Sequence, residues 1–459
     1  MTHQFNPTIL REYDIRGIVG DTLTETDAYA LGRSYAALAR EEGARRIAVG
    51  RDGRTHSGML EAALIRGLTE GGIDVMLIGQ GPSPMLYFAT YYLDVDGGIQ
   101  VTGSHNPADY NGFKLLLKGR SVFGQEIQAL GRRSESGTWS QGNGTTEEVD
   151  VRQAYVDRLV EGFSGKPYRV GWDAGNGAAG PILDMLVERL PGDHHVIFSQ
   201  VDGHFPNHHP DPTVEANLAD LKALVAREQL DFGIAFDGDG DRIGAVDGKG
   251  RVIWGDQLLM ILAEPVLQEQ PGATIIADVK ASQTLFDRVA ELGGSPLMWK
   301  TGHSLIKSKM KETAAPLAGE MSGHIFFKHR WYGFDDALYA AVRLIEAVSA
   351  SGKTLTELKD AMPTAVATPE MRFQVDESRK FAIVEEVRDR LSADGAKVDA
   401  TDGVRVSTGD GWWLLRASNT QDVLVARAEA PDQAGLDRLV GQIDDQLAKS
   451  GLERVEAAH

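Results

Sequence analysis

Three times along this chain a short apolar run, the length of a buried strand, breaks into a loop dense with polar residues. The first, Gly97-Gly98-Ile99-Gln100-Val101, runs into Thr102-Gly103-Ser104-His105-Asn106-Pro107. The second, Phe232 to Phe236, breaks at Asp237-Gly238-Asp239-Gly240-Asp241-Arg242 and resumes at Ile243. The third, Pro316-Leu317-Ala318, breaks at Gly319-Glu320-Met321-Ser322-Gly323-His324 and resumes at Ile325-Phe326-Phe327. Runs this brief, rich in branched or aromatic residues and bounded by turn residues, read as strands. Each round opens with another strand that also ends in polar residues: Arg46 to Gly50 at Arg51-Asp52-Gly53-Arg54, Tyr168 to Trp172 at Asp173, and Thr274 to Ala277 at Asp278-Val279-Lys280. A helical stretch lies between. The alternation predicts an α/β protein of three related α/β domains with mainly parallel mixed sheets.

A chain of 459 residues has room for three or four domains of ordinary size. After an apolar helix around Ala340 to Val348, the stretch Met362-Pro363-Thr364-Ala365-Val366-Ala367-Thr368-Pro369 reads as a linker or hinge. Beyond it come a strand, a helix from Phe381 to Leu391, more strands and a helix from Leu436 to Leu447, which together predict a smaller C-terminal α+β domain. The expected domains are 1–150, 151–254, 255–366 and 367–459. Near the N-terminus, Thr24 and Asp27 make a capping box that opens a helix carrying Leu31, Tyr35 and Leu38 on one face, closed by Gly43.

Composition narrows the chemistry. Cysteine is absent, so disulfides and thiolate catalysis are excluded. No stretch approaches the ~20 apolar residues of a membrane span, and the N-terminus lacks a secretory pattern. A cytoplasmic protein with no membrane partner is expected. The net charge of −19 argues against nucleic-acid binding, which brings a basic face. An anionic small substrate stays open, because charge is screened beyond ~10 Å and local cations decide. Arg16, Lys114, Arg242, Lys280, His303 and Arg416 all fall in or beside loops.

Asp237, Asp239 and Asp241 are the strongest local signal. Alternate strand positions share a face, and Gly238 and Gly240 let the backbone curl, so three carboxylates can converge on one hard cation. Mg²⁺ suits ligation by carboxylate and phosphate oxygens. A calcium EF-hand fails because its twelfth position would be Gly248 rather than Glu. A solvated hairpin turn stays open. So does Asp237 as its own nucleophile, in the Asp-x-Asp manner of haloacid-dehalogenase-like enzymes, although Asp241 stands where that motif expects Thr or Val.

The segment Gly175-Asn176-Gly177-Ala178-Ala179-Gly180 fits Gly-x-Gly-x-x-Gly, but the acidic residue a dinucleotide site expects is at best Asp202, and a structural turn is favoured. Phe205 to Pro212, after His204, reads as a rigid interdomain loop, since adjacent histidines among prolines cannot readily turn onto one ion. Ser104 alone would be an ordinary turn serine; beside an ion site it becomes a candidate phosphate carrier. In Arg416-Ala417-Ser418-Asn419-Thr420, a guanidinium, two hydroxyls, an amide and loop N–H groups make a phosphate cradle. Glu320 and Ser322 offer an acceptor and a hydroxyl suited to sugar hydroxyl groups.

With these loops in this order, the chain resembles the α-D-phosphohexomutases, nearest their bacterial phosphomannomutase/phosphoglucomutase branch. The resemblance runs through Tyr-Asp-Ile-Arg-Gly (13–17), Thr-Gly-Ser-His-Asn-Pro (102–107), Tyr-Asn-Gly-Phe-Lys (110–114), Phe-Pro-Asn-His-His-Pro-Asp-Pro (205–212), Asp-Gly-Asp-Gly-Asp-Arg (237–242), Lys-Thr-Gly-His-Ser (300–304), Gly-Glu-Met-Ser-Gly-His (319–324) and Arg-Ala-Ser-Asn-Thr (416–420). It implies four domains around a central cleft, the fourth closing on substrate. It also implies a phosphoserine at Ser104 that exchanges its phosphoryl group with glucose and mannose phosphates through a hexose 1,6-bisphosphate, which also serves as activator.

By the same resemblance Ser104, Asp237, Asp239 and Asp241 hold Mg²⁺, and Arg16, Lys114 and His303 attend the reacting hydroxyl. Tyr13, Arg242, Lys280, Glu320, Ser322, His324, Arg416, Ser418, Asn419 and Thr420 bind the phosphosugar, and the enzyme is expected as a monomer. Phosphoglucosamine mutase is the near alternative, although Gln is common there at the position of Met321; an inactive sugar-phosphate-binding protein is the remote one. Two departures stand out: Ala108 and Asp422 each occupy a position where Pro is common.

Overall fold

The computed structural model describes residues 2–419 and 422–452, and its strands gather into four sheets. In the first, Asp74–Gln80, Arg46–Arg51 and Gly97–Val101 lie side by side in parallel. Gly97–Val101 then turns back through the Ser104 loop into antiparallel Tyr110–Leu117. The second sheet repeats this order with Gly192–Ile197, Tyr168–Asp173, Phe232–Phe236 and Ile243–Asp247. The third repeats it with Ser295–Trp299, Thr274–Asp278, Leu317–Gly319 and Ile325–Phe327. In each of these three sheets the polar loop joins the last parallel strand to the first antiparallel one, leaving the end of a fully buried strand. The expected α/β repeat is therefore a repeat of topology. Parallel neighbours need a crossover, which the helices supply, and strands covered on both faces are apolar throughout.

Ile15–Ile18 pairs antiparallel with Tyr110–Leu117, placing Arg16 opposite Gly112 beside the serine hairpin. The capping box at Thr24 forms as expected, with Asp27 Oδ2 accepting from the Thr24 N–H at 2.8 Å, and Gly43 takes a left-handed φ of 77° just past the helix end.

Three hydrophobic cores matter for placing the loops. The first sheet has its own. The second and third share another, into which the helix Ser83–Tyr92 from the first sheet's side inserts Met85 to Ala89. That helix welds the serine hairpin to the aspartate hairpin, so their relative position is set by core packing and not by surface contacts.

The fourth sheet is antiparallel in every described pair, and carries a separate core with helices Lys380–Ala393 and Gln433–Lys449. Along its strand Gly411–Ala417, alternate residues part company: Trp413 and Leu415 face those helices, while Trp412 and Leu414 pack on Val279 and Met298 of the third sheet's side. The stretch expected to be a linker is only partly one. Val366–Ala367 forms a short strand against Ala430 and Glu429, a partner more than sixty residues away that local sequence does not reveal. Among the described residues no helix is long and apolar enough to cross a membrane.

Candidate active site

One cleft of about 1240 Å³ runs between the lobes and takes lining residues from all four. Ser104 sits on its wall at 4% exposure, with a left-handed φ of 48°. That is not the solvated surface turn a lone serine suggests. Its Oγ lies 3.2 Å from Asp237 Oδ2 and 3.2 Å from His105 Nδ1.

Behind Ser104 the three aspartates are fully buried, each offering an oxygen within 4.8 Å of the others. The hairpin turn is therefore not solvated. Asp237 Oδ1 accepts from the backbone N–H of Asp241 at 3.0 Å and of Arg242 at 3.1 Å. Asp239 accepts from the Ser83 hydroxyl, a contact supplied by the welding helix. Lys114 Nζ lies between Asp239, at 2.6 Å, and Asp241. Burial works against the Lys114 charge, yet Asp239 and Asp241 hold its pKa well above the ordinary value. Asp237 goes the other way: burial, then repulsion by Asp241 and Asp239, pushes its carboxyl well above the usual range. Even with Lys114 and His324 against the group and Arg242 near it, the mutual repulsion of the carboxylates persists at Asp237, and Asp239 Oδ1 has no hydrogen-bond partner. The donor set, three converging sets of hard oxygens, fits a divalent cation such as Mg²⁺.

Around this centre Arg16 donates to the Gly103 carbonyl and to Asn106 Oδ1, the latter at 3.0 Å, while also pairing with Asp14. His324 bridges Asp241 Oδ1 at 3.2 Å and Glu320 Oε2 at 3.0 Å. Burial opposes its protonation, but Asp241 and the hydrogen bonds to both carboxylates raise it to about 9. His303 stacks on His324 with ring centres 5.9 Å apart. Burial and then Lys307 and Lys114 press its pKa well below the ordinary value, so the ring is neutral, and its Nδ1 is buried without a partner. Glu320 Oε1 accepts from the Gly302 N–H at 2.5 Å, and Ser322 Oγ lies 3.1 Å from His324 Nδ1. Arg242 lines the same wall.

The remaining sequence candidates gather at the rim. Asn419 Nδ2 donates to Tyr13 OH at 2.5 Å, and that hydroxyl donates to the Thr301 carbonyl at 2.8 Å. Arg416 Nε donates to Asp402 Oδ2 at 3.0 Å, and the same oxygen accepts from the Thr301 N–H at 3.0 Å. Lys280 Nζ pairs with Glu370 at 3.2 Å. Ser418 lines the cleft; Thr420 lies outside the described residues. Ser83, Asp402 and Glu370 escaped the sequence reading because each meets its partner from a distant part of the chain, with no local motif.

Two lesser readings are also settled by geometry. At Gly177 an added Cβ would lie 2.8 Å from the Gly238 carbonyl and at Gly180 1.9 Å from the Ser199 carbonyl, so those glycines serve close packing. His208 Nε2 meets Asp173 Oδ2 at 2.9 Å, and an added Cβ on Gly203 would lie 2.6 Å from the Thr55 nitrogen, as fits a loop bridging two lobes.

Known proteins resemble this chain in sequence and fold. Four family models match in order: phosphoglucomutase/phosphomannomutase α/β/α domain I over residues 7–140, domain II over 153–250, domain III over 254–366, and the C-terminal domain over 370–446. A phosphomannomutase/phosphoglucomutase of Pseudomonas aeruginosa is 46% identical over 441 residues, 96% of this chain and 95% of that protein. A phosphoglucomutase of Neisseria gonorrhoeae is 45% identical, covering 94% of this chain and 95% of its own. The crystal structure of a phosphoglucomutase/phosphomannomutase family protein from Burkholderia thailandensis superposes with a TM-score of 0.93 at 43% identity, covering 98% of both chains. Matched in sequence from end to end and in the disposition of its four lobes, the chain belongs to the phosphoglucomutase/phosphomannomutase family.

Proposed function

We propose that this protein interconverts hexose 1-phosphate and hexose 6-phosphate, on both glucose and mannose, through a phosphoryl group carried by Ser104. The observation that carries the reading is the placement of Ser104 Oγ at 3.2 Å from Asp237 in a cleft that also takes in Arg416 and Ser418. The transfer breaks the bond from phosphorus to Ser104 Oγ and forms one to the free hydroxyl oxygen of the sugar phosphate. That hydroxyl gives up its proton and Ser104 Oγ takes one, leaving a hexose 1,6-bisphosphate. Once the bisphosphate has turned end for end, its other phosphoryl group returns to Ser104. The same bisphosphate, as activator, reloads any enzyme that has lost its phosphate.

In this reading His303, neutral and with a free Nδ1, accepts the hydroxyl's proton and, once protonated, is the acid that returns one, while Lys114, kept charged by its aspartates, and Arg16 stabilise the developing charge. Asp237, Asp239, Asp241 and an oxygen on Ser104 would hold Mg²⁺, which when bound offsets part of the phosphate's −1.5 to −2 charge (about that much per phosphoserine). Arg416, Ser418, Asn419 and Thr420 hold the phosphate that does not react, and one cradle serves both orientations. Glu320, Ser322 and His324 meet sugar hydroxyls, with Tyr13, Arg242 and Lys280 completing the wall. We place the protein in the cytoplasm as a monomer.

Intact-mass analysis before and after adding glucose 1,6-bisphosphate tests the carrier. Retained phosphate mapping to Ser104, and loss of turnover with retained ligand binding in Ser104→Ala, are expected. Phosphate on Asp237, or an active Ser104→Ala, refutes it. Parallel assays on glucose, mannose and glucosamine 1-phosphates test the sugar: equal or better turnover of the amino sugar overturns that choice.

A further inference from the structure

The Ser104 loop is held from behind by a residue that no part of the reaction above uses. Arg54 is 3% exposed and does not line the cleft. Its guanidinium nonetheless gathers four carbonyls of that loop. One terminal nitrogen donates to the Pro107 carbonyl at 2.5 Å and the Tyr110 carbonyl at 2.9 Å. The other donates to the Ser104 carbonyl at 2.8 Å and the Asn106 carbonyl at 2.5 Å. Nε lies 3.3 Å from Asp52 Oδ2. The planar fork of donors is thus directed entirely at one turn and its anchor.

Asp52 completes the clamp. Its Oδ2 accepts from the Thr102 hydroxyl at 2.8 Å and the Gly103 N–H at 3.0 Å, and Thr102 Oγ1 accepts from the Ser104 N–H at 2.8 Å. The fit is close on both sides. A Cβ on Gly103 would lie 2.2 Å from Arg54 Nε and 2.3 Å from Cζ, and one on Gly238 would lie 2.4 Å from the Ser104 carbonyl.

We propose that Arg54 is the positioning residue of the phosphate carrier: by drawing four loop carbonyls to the back, it fixes the left-handed backbone at Ser104 and aims its Oγ at the aspartates. The inference rests on reading Ser104 as the carrier. A non-glycine residue at positive φ is strained and persists only where its surroundings over-determine it. Four carbonyls turned toward the guanidinium also keep acceptor oxygens away from the side on which an anionic phosphate would lie. Lysine would retain the charge but not the fork, so a general electrostatic role and a clamping role separate cleanly.

The experiment uses the full-length protein. Arg54→Lys should lower kcat about a hundredfold, the scale expected from misplacing a reacting group by about 1 Å, with KM within about threefold of the parent. Gly103→Ala, which leaves Arg54 in the chain but crowds it from its seat, should show the same split. The double variant should lose little more than either single one, since both break one unit. Guanidinium ion at millimolar concentration should restore at least fivefold of the lost kcat to Arg54→Ala. A parent-like kcat in Arg54→Lys, or full additivity in the double variant, overturns the clamp. Intact mass is read in parallel: a parent that turns over without phosphate on Ser104 overturns the carrier reading itself, whereas a phosphorylated parent alongside a parent-like Arg54→Lys overturns the clamp alone.

Discussion

Replacing Asp336 by Asn should make this protein progressively more stable than the parent as pH climbs from acid to alkaline. Asp336 caps the helix Ala337–Ser351, its Oδ1 accepting from the Tyr339 N–H at 2.9 Å, while Oδ2 accepts from the Tyr155 hydroxyl at 2.8 Å. Directly after it, the Ala337 N–H reaches the Gly240 carbonyl at 3.3 Å, so the cap also seats the aspartate hairpin. The carboxyl is fully buried and, among the described residues, makes no ion pair. Burial raises its pKa from 3.8 to about 7, the capping hydrogen bonds offsetting part of that rise.

A carboxyl raised on folding binds its proton more tightly in the native state, so stability falls as pH climbs from about 4 to about 7 and stays reduced above that. Three units correspond to roughly 4 kcal/mol at full ionisation, an upper bound. Asparagine keeps the capping oxygen and removes the charge; its amide must face the Tyr155 hydroxyl, which has to turn and accept, leaving a net gain of about 1–3 kcal/mol. The assay is the difference in thermal midpoint between variant and parent, followed from about pH 5 to about pH 8.5. A difference that grows with pH supports the reasoning. A difference flat across that range refutes it, because the carboxyl would then not change ionisation within it.

Other consequences concern the centre itself. Millimolar Mg²⁺ should raise the melting temperature of the parent and leave Asp237→Asn unmoved; an equal rise in both would show that the ion binds elsewhere. Chelation should abolish turnover in the parent, with recovery on adding Mg²⁺, and activity that persists in excess chelator would rule out the ion site. Gly238→Ala forces a Cβ to within 2.4 Å of the Ser104 carbonyl. Since backbone must move to relieve it, kcat should fall about a hundredfold while Tm drops only a few degrees. An Ala variant with parent kcat would mean that the two hairpins need not touch.

The loops were legible because each is a local object. A strand ending in Gly-Ser-His-Asn-Pro or Asp-Gly-Asp-Gly-Asp announces its turn within a few residues, and Thr24 with Asp27 announces a helix start within four. What stayed hidden depends on partners far along the chain. Ser83 meets Asp239 across 156 positions, Arg54 meets Ser104 across 50, and Lys280 meets Glu370 across 90. Each is an ordinary polar residue where it stands, and only the folded sheets bring its counterpart near. Val366–Ala367 reads as linker in the sequence for the same reason: two residues carry no periodicity, and the strand exists only because Ala430 and Glu429 lie alongside.

Those long-range contacts also bear on how the cleft works. The two rim cations assigned to the phosphosugar are both engaged by carboxylates, Lys280 by Glu370 and Arg416 by Asp402. Lys280 is the foremost reason that Glu370 is drawn down to about 2, so that carboxylate stays charged. Asp402 does double duty, because the oxygen that holds Arg416 also takes the Thr301 N–H from the third lobe. Under the proposed function, a phosphate at Arg416 would compete with Asp402, the residue that also takes the Thr301 N–H, and one at Lys280 would compete with Glu370. The fourth lobe has its own core and meets the third through a small apolar patch around Trp412 and Leu414, together with Arg405 donating to the Val279 and Ala281 carbonyls, Ser282 Oγ donating to Glu429 and Arg427 donating to the Lys280 carbonyl. Under the proposed function, exchange of carboxylate for phosphate at this rim would couple substrate binding to the position of the fourth lobe.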